Sequence, residues 1–216
     1  MGVTRILHAA GNYRESLPLA QLAEVDAIEA DVWLHAGDIF VNHARPLGPI
    51  PYTLGTDGLR RHDADRVNVA ELLAAVDGCA QLVLDLRSWF GDPAPDMMRI
   101  LHPLRDRSHL LVSCESWAIA DRMRVWLPDV RVAYSVRSEG QLRRYVQGRM
   151  GGRLPPTAVM VRHTLLRSAA EVESLRRWAD GVGVWTVDDL GRATQLVAWG
   201  VDSVTSNELS VLAALG

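Results

Sequence analysis

Apolar runs of strand composition alternate with amphipathic stretches along this chain, and that rhythm narrows the possible folds more than any single residue does. Strand-like runs occupy residues 3–7, 27–34, 81–86, 110–114, 130–136, 158–162, 182–187 and 201–205. Helical spacing fills residues 15–25, 69–76, 95–104, 117–126, 140–149, 169–179, 190–199 and 208–214. A strand, a helix and the next parallel strand connect right-handedly, so sustained alternation predicts a parallel sheet covered by helices. Eight strand–helix units close a (β/α)8 TIM barrel, and 216 residues fit one such α/β domain spanning 1–216. An open doubly wound sheet is the competing arrangement. No glycine-rich phosphate fingerprint follows the first strand, which counts against a dinucleotide-binding sheet.

One stretch breaks the rhythm. Residues 39–43 read as a strand that extends the second unit after a turn at Ala36, Gly37 and Asp38. The next segment, with Pro46, Pro49 and Pro51, carries too many prolines for regular structure. Residues 44–65 are therefore expected to form a short loop insertion at the barrel mouth, and loops of about 20 residues are more often functional or disordered than idle.

Composition excludes some partners. The net charge of −3 gives no reason to expect nucleic acid or an anionic membrane surface. All 23 basic side chains are arginine, which removes lysine from every mechanism. No secretory signal and no apolar run of about 20 residues is visible, so no transmembrane segment is expected. Cys79 and Cys114 follow no metal or redox spacing; a reduced pair and a cytoplasmic location are expected. Nothing in the sequence sets the oligomeric state.

The chemistry concentrates in the first three units. Glu29 and Asp31 stand at i and i+2 on one strand and so point to one face. Two carboxylates that close repel, and their burial is costly unless a positive group lies between them. A divalent cation is the simplest such group. In a barrel the site lies at the C-terminal ends of the strands, where Asp85 of the third strand can join the pair. Oxygen ligands without cysteine favour a hard cation, Mg2+ or Ca2+. His8 closes the first strand and His43 the extension of the second; both can move protons near neutral pH. Alone, a histidine at a strand end is more often a hydrogen-bonded structural residue. His163 after the sixth strand and Trp185 at the end of the seventh can line the same mouth.

Taken in order, these residues resemble the motifs of the glycerophosphodiester phosphodiesterase family. That family carries His-Arg after the first strand, Glu-x-Asp in the second, His-Asp shortly after, and Glu-x-Lys in the third. The corresponding residues are His8-Ala9, Glu29-Ala30-Asp31, His43-Ala44 and Asp85-Leu86-Arg87. Arg14-Glu15-Ser16 resembles the family's Glu-Asn-Thr segment. Val184-Trp185-Thr186-Val187-Asp188-Asp189 resembles its Trp-Thr-Val-Asn stretch, and the run from Gly200 to Ser206 its Gly-Val-Asp-Gly-Ile-x-Thr-Asp ending. The resemblance implies a metal-dependent phosphodiester hydrolase acting on a small phosphodiester, releasing an alcohol and glycerol 3-phosphate, in some members through a cyclic phosphate. It implies Glu29, Asp31 and Asp85 as metal ligands, His8 and His43 as the acid–base pair, and Arg87 as a phosphate-binding residue; Trp185 is expected to wall the substrate pocket, and His163 to serve there or as a structural residue. Four positions depart from the pattern: Ala9, Ala44, Asp85 and Arg87. The lost Arg at Ala9 removes a charge-assisted phosphate contact of about 1.5–3 kcal/mol. Two alternatives stand beside the hydrolase: a weakly active or inactive barrel serving as a binding or regulatory protein, and a phosphodiesterase or lyase for another lipid head group.

Overall fold

The computed structural model describes residues 2–35, 38–47, 50, 52–55, 58–61, 67–76, 80–87, 91–148 and 156–216. Eight parallel strands close into a barrel: β1 (Thr4–Leu7), β2 (Ala27–His35), β3 (Gln81–Arg87), β4 (Leu110–Cys114), β5 (Arg131–Val136), β6 (Ala158–Arg162), β7 (Gly181–Trp185) and β8 (Ser203–Ser206). Closure comes from β1, which pairs with β8 on one side and β2 on the other. The open sheet is thereby excluded. Helices α1 (Val69–Val76), α2 (Ala94–Leu101), α3 (Trp117–Trp126), α4 (Glu139–Val146), α5 (Ala169–Arg176), α6 (Leu190–Ala198) and α7 (Leu209–Ala213) follow β2 to β8 in turn.

Period-two alternation along the strands builds two cores. Outward residues such as Ile28, Ala30, Leu82, Leu84 and Val112 pack against the helices. Inward residues Ile6, Ala27, Val83, Leu111, Ala133 and Met160 fill the barrel interior. Both faces are covered, which is why the strands read as nearly continuous apolar runs. Each fully buried Leu or Ile contributes about 1.5–3 kcal/mol of transfer free energy.

Two segments depart from expectation. The helix expected at 15–25 is instead a 3-10 segment, Arg14–Gln21, preceded by a shorter one at Ala10–Asn12. Pro18 lies inside the longer segment, where it offers no N–H and crowds the preceding turn of an α-helix. The proline-rich stretch, expected to be a loop, contains a small antiparallel sheet of Arg45–Pro46, Tyr52–Gly55 and Gly58–Arg61. Pro46 is tolerated because its strand is a two-residue edge. The strand expected at 39–43 is present as Asp38–Val41, antiparallel to the outer half of β2 with Val32 opposite Val41, so Asp38 belongs to the strand and not to the turn; Ala36 and Gly37 lie outside the described residues.

Gly11 sits where the first 3-10 segment crosses β2. A Cβ there would lie 2.7 Å from the Ala30 Cβ and 2.9 Å from Leu72 Cδ1. Gly11→Ala is expected to cost about 1–3 kcal/mol through overpacking. A thermal melt checks this; an unchanged midpoint would contradict the close approach.

Candidate active site

Strand register assembles the acidic cluster. The inward positions of β2 include Glu29 and Asp31, and those of β3 include Asp85. Asp31 pairs with Asp85 and Asp85 with Ser113 across neighbouring strands. Adjacent strands lie about 4.8 Å apart, so same-face carboxylates in register must meet. Glu29, Asp31 and Asp85 each offer an oxygen, and these oxygens all lie within 4.8 Å of one another. Glu29 and Asp31 are buried.

Several of the carboxylate oxygens already have protein partners. Glu29 Oε2 accepts the Ala9 backbone N–H at 2.7 Å. That N–H is aimed by the left-handed conformation of Ala9 (φ 54°), which costs about 1 kcal/mol for a residue with a Cβ. Asp31 Oδ2 accepts from Asn12 Nδ2 at 2.9 Å and from His43 Nδ1 at 2.8 Å. The Asp31 backbone N–H donates back to Asn12 Oδ1 at 2.8 Å. Asp85 Oδ1 accepts from Ser113 Oγ at 2.7 Å. Arg87 reaches back from the end of β3: Nη2 lies 2.7 Å from Asp31 Oδ1 and Nε 2.6 Å from Asp85 Oδ2.

These surroundings divide the three acids. Burial, reinforced by the Asp31 and Asp85 charges, pushes Glu29 well above the usual carboxylate range. Burial also pushes Asp85 up, although Arg87 opposes it. Burial acts on Asp31 too, but the hydrogen bond from His43 and the charge of Arg87 outweigh it and hold that carboxyl low. The same hydrogen bond raises the His43 imidazole.

The two histidine rings meet edge to face, with centroids 5.9 Å apart. His8 Nδ1 lies 2.7 Å from Asn207 Oδ1. Asn207 in turn donates through Nδ2 to Asp188 Oδ2 at 2.7 Å, and its backbone N–H donates to Asp188 Oδ1 at 2.8 Å. An ionised carboxylate only accepts, so Asp188 fixes the amide: NH2 toward itself, carbonyl oxygen toward His8. His8 Nδ1 therefore donates to Asn207, and Nε2 faces Glu29, 3.9 Å from Oε2.

The structure brings His8, Glu29, Asp85, Arg87 and Trp185 to the wall of one pocket at the barrel mouth. His43 stands beside it, exposed, and reaches the cluster through Asp31. His163 is not among the residues lining this pocket. It opens a 3-10 turn after β6, where burial and then Arg192 lower its imidazole pKa. Cys114 is a buried thiol pushed up to about 12 by desolvation. Cys79 lies outside the described residues.

Four site residues escaped sequence reasoning. Asn12 lies two residues before the Arg14-Glu15-Ser16 segment on which the resemblance rests. There, Arg14 pairs with Glu71 at 3.1 Å. Ser113 is a polar residue at an inward position of an apolar strand, which was a usable signal. Asp188 closes the stretch that resembles Trp-Thr-Val-Asn, and Asn207 directly follows the run from Gly200 to Ser206, so both lay next to segments already singled out.

No family model matches the chain, and no curated protein does. Solved structures do match. A phosphodiesterase from Oleispira antarctica, in complex with the product sn-glycerol-3-phosphate, is 16% identical with a TM-score of 0.76, over 99% of this chain and 96% of that one. A glycerophosphodiester phosphodiesterase from Agrobacterium tumefaciens is 16% identical with a TM-score of 0.70, over 98% and 99%. One from Thermotoga maritima is 19% identical with a TM-score of 0.68, over 100% and 99%. At these identities the likeness shows a shared fold: this chain is a (β/α)8 barrel of the shape those enzymes have. Among the described residues, no helix is long and apolar enough to cross a membrane.

Proposed function

We propose that this chain is a divergent glycerophosphodiester phosphodiesterase, a metal-dependent hydrolase of small phosphodiesters. The observation that carries the reading is the convergence of two contacting imidazoles on three clustered carboxylates at the C-terminal mouth of the barrel. The donor set fits a hard divalent cation: three carboxylates, all oxygen, with more buried acid than Arg87 alone can balance. Glu29, Asp31 and Asp85 would hold it. When bound, such a cation supplies charge stabilisation for a non-bridging phosphate oxygen.

The protein's own groups divide the proton work. The His8 Nε2 lone pair, aimed by Asn207 and Asp188, suits a general base that takes the proton of the attacking hydroxyl. His43, whose imidazolium is favoured by Asp31, suits the acid that protonates the leaving alkoxide. Arg87 lies at the pocket wall, where a phosphate would meet it, and Trp185 offers an apolar face for the substrate's carbon skeleton.

The test is turnover of glycerophosphocholine and glycerophosphoethanolamine with Mg2+ or Ca2+, and with chelator. Release of glycerol 3-phosphate that chelator abolishes is the expected result. No turnover of any diester would overturn the hydrolase, and diester binding without turnover would mark a binding protein instead. A cyclic phosphate as the end product would place the protein with the lyases.

A further inference from the structure

We infer that Arg87 and a divalent cation are alternative occupants of the space between Asp31 and Asp85, and that the displaced guanidinium becomes the phosphate-binding group. The inference rests on the cation site proposed above. Its starting point is which lone pairs are already taken. Asn12 and His43 occupy Asp31 Oδ2, and Ser113 occupies Asp85 Oδ1. Asp31 Oδ1 and Asp85 Oδ2 accept no hydrogen bond from Asn12, His43 or Ser113, and Arg87 contacts both, at 2.7 and 2.6 Å. A cation drawn between these two carboxylates meets the same oxygens. Two positive groups that close, walled in by protein, repel strongly. One must leave.

Arg87 is built to be the one that leaves. Its Nε, although 2.6 Å from Asp85 Oδ2, makes no aligned hydrogen bond, so charge rather than a locked fork holds the guanidinium. The side chain is 30% exposed, and it lines the open pocket beside Glu115. Glu115 is already engaged by Arg137 at 2.9 Å and so competes weakly for a second guanidinium. An arginine swung to that side meets an incoming phosphate with planar, paired donors. Cation and phosphate then help one another: each stabilises the arrangement in which Arg87 has turned outward, and by linkage the coupling is reciprocal. The exchange also gives the third-strand arginine a use that a shorter point charge would not share.

Calorimetric titration with Mn2+, with and without inorganic phosphate, tests this on the purified protein. In the wild type, phosphate is expected to tighten Mn2+ binding several-fold. Arg87→Met is expected to bind Mn2+ at least tenfold more tightly than the wild type and to lose the phosphate effect. Arg87→Lys, a variant that keeps the charge should Arg87→Met fail to fold, is expected to lie between the two. Glu29→Gln should abolish the heat of Mn2+ binding and so locate it to this cluster. Equal Mn2+ affinity in wild type and both arginine variants would overturn the exchange while leaving the cation site standing. Absence of Mn2+ binding in all of them would overturn both. Binding by Arg87→Met but not by the wild type would support the exchange in its strongest form.

Discussion

His8→Ala is expected to lower diester hydrolysis by about 10^2–10^4-fold, the usual contribution of a positioned general base. The fold should survive, because the residues that orient His8 do not depend on it. Asn207 keeps both of its bonds to Asp188, and Ser206 Oγ still donates to Asp188 Oδ1 at 3.0 Å. The measurement is kcat with the melting temperature alongside it. A companion change separates orientation from chemistry. Asp188→Asn removes the acceptor-only group, so the Asn207 amide is free to turn its NH2 toward His8 Nδ1. That would force the proton onto Nε2 and remove the base. A fall in kcat with KM unchanged is expected; a change in KM alone would assign Asp188 to substrate binding. If His8→Ala turned over as fast as the wild type, the acid–base assignment would be wrong.

Glu29→Gln has an expected result of two signs: turnover is lost, yet the protein without cation becomes more stable at pH 7. Glu29 is buried, it neighbours two other carboxylates, and its nearest basic atom in the described contacts is His8 Nε2 at 3.9 Å. Its folded pKa lies above the unfolded value. As pH rises, the unfolded chain releases this proton first, so folding is penalised from the ordinary glutamate range upward. The penalty is full once the folded group has also ionised, and absent at acid pH. Glutamine keeps an acceptor for the Ala9 N–H and removes the charge. A gain of at least about 1 kcal/mol is expected, the scale of relieving an uncompensated buried polar group. Denaturant unfolding in chelator at pH 7 and pH 4 reads it: a gain at the first and little at the second. Destabilisation at pH 7 would show that Glu29 is balanced within the protein and needs no cation.

The barrel was legible because each strand–helix unit declares itself locally, through runs and periods that need no knowledge of the rest. Glu29, Asp31 and Asp85 were legible for the same reason: i, i+2 spacing sets the face, and closure sets the neighbours. The misses are of another kind. Pro18 in an otherwise helical pattern was a local signal passed over, and the 3-10 path follows from it. The sheet formed by Arg45–Pro46, Tyr52–Gly55 and Gly58–Arg61 depends on which short segments find each other, and proline content alone argued against it. Arg87 was placed at the mouth, but sequence gives a side chain's origin and not its direction; its return onto Asp31 and Asp85 is a matter of three-dimensional charge. The hold of Asn207 on His8 spans 199 positions, and no spacing rule reaches that far.

The seam between β1 and β8 has a consequence for how this molecule comes into being. During synthesis the ribosome delivers His8, the three carboxylates and His43 early, and their strands can begin to pair. The groups that aim His8, Asp188 and Asn207, arrive only with β7 and β8. Until β8 docks against β1, His8 lacks the Asn207 carbonyl that orients its ring. Under the roles proposed above, a chain clipped before β8 is expected to keep the three carboxylates and to lose turnover.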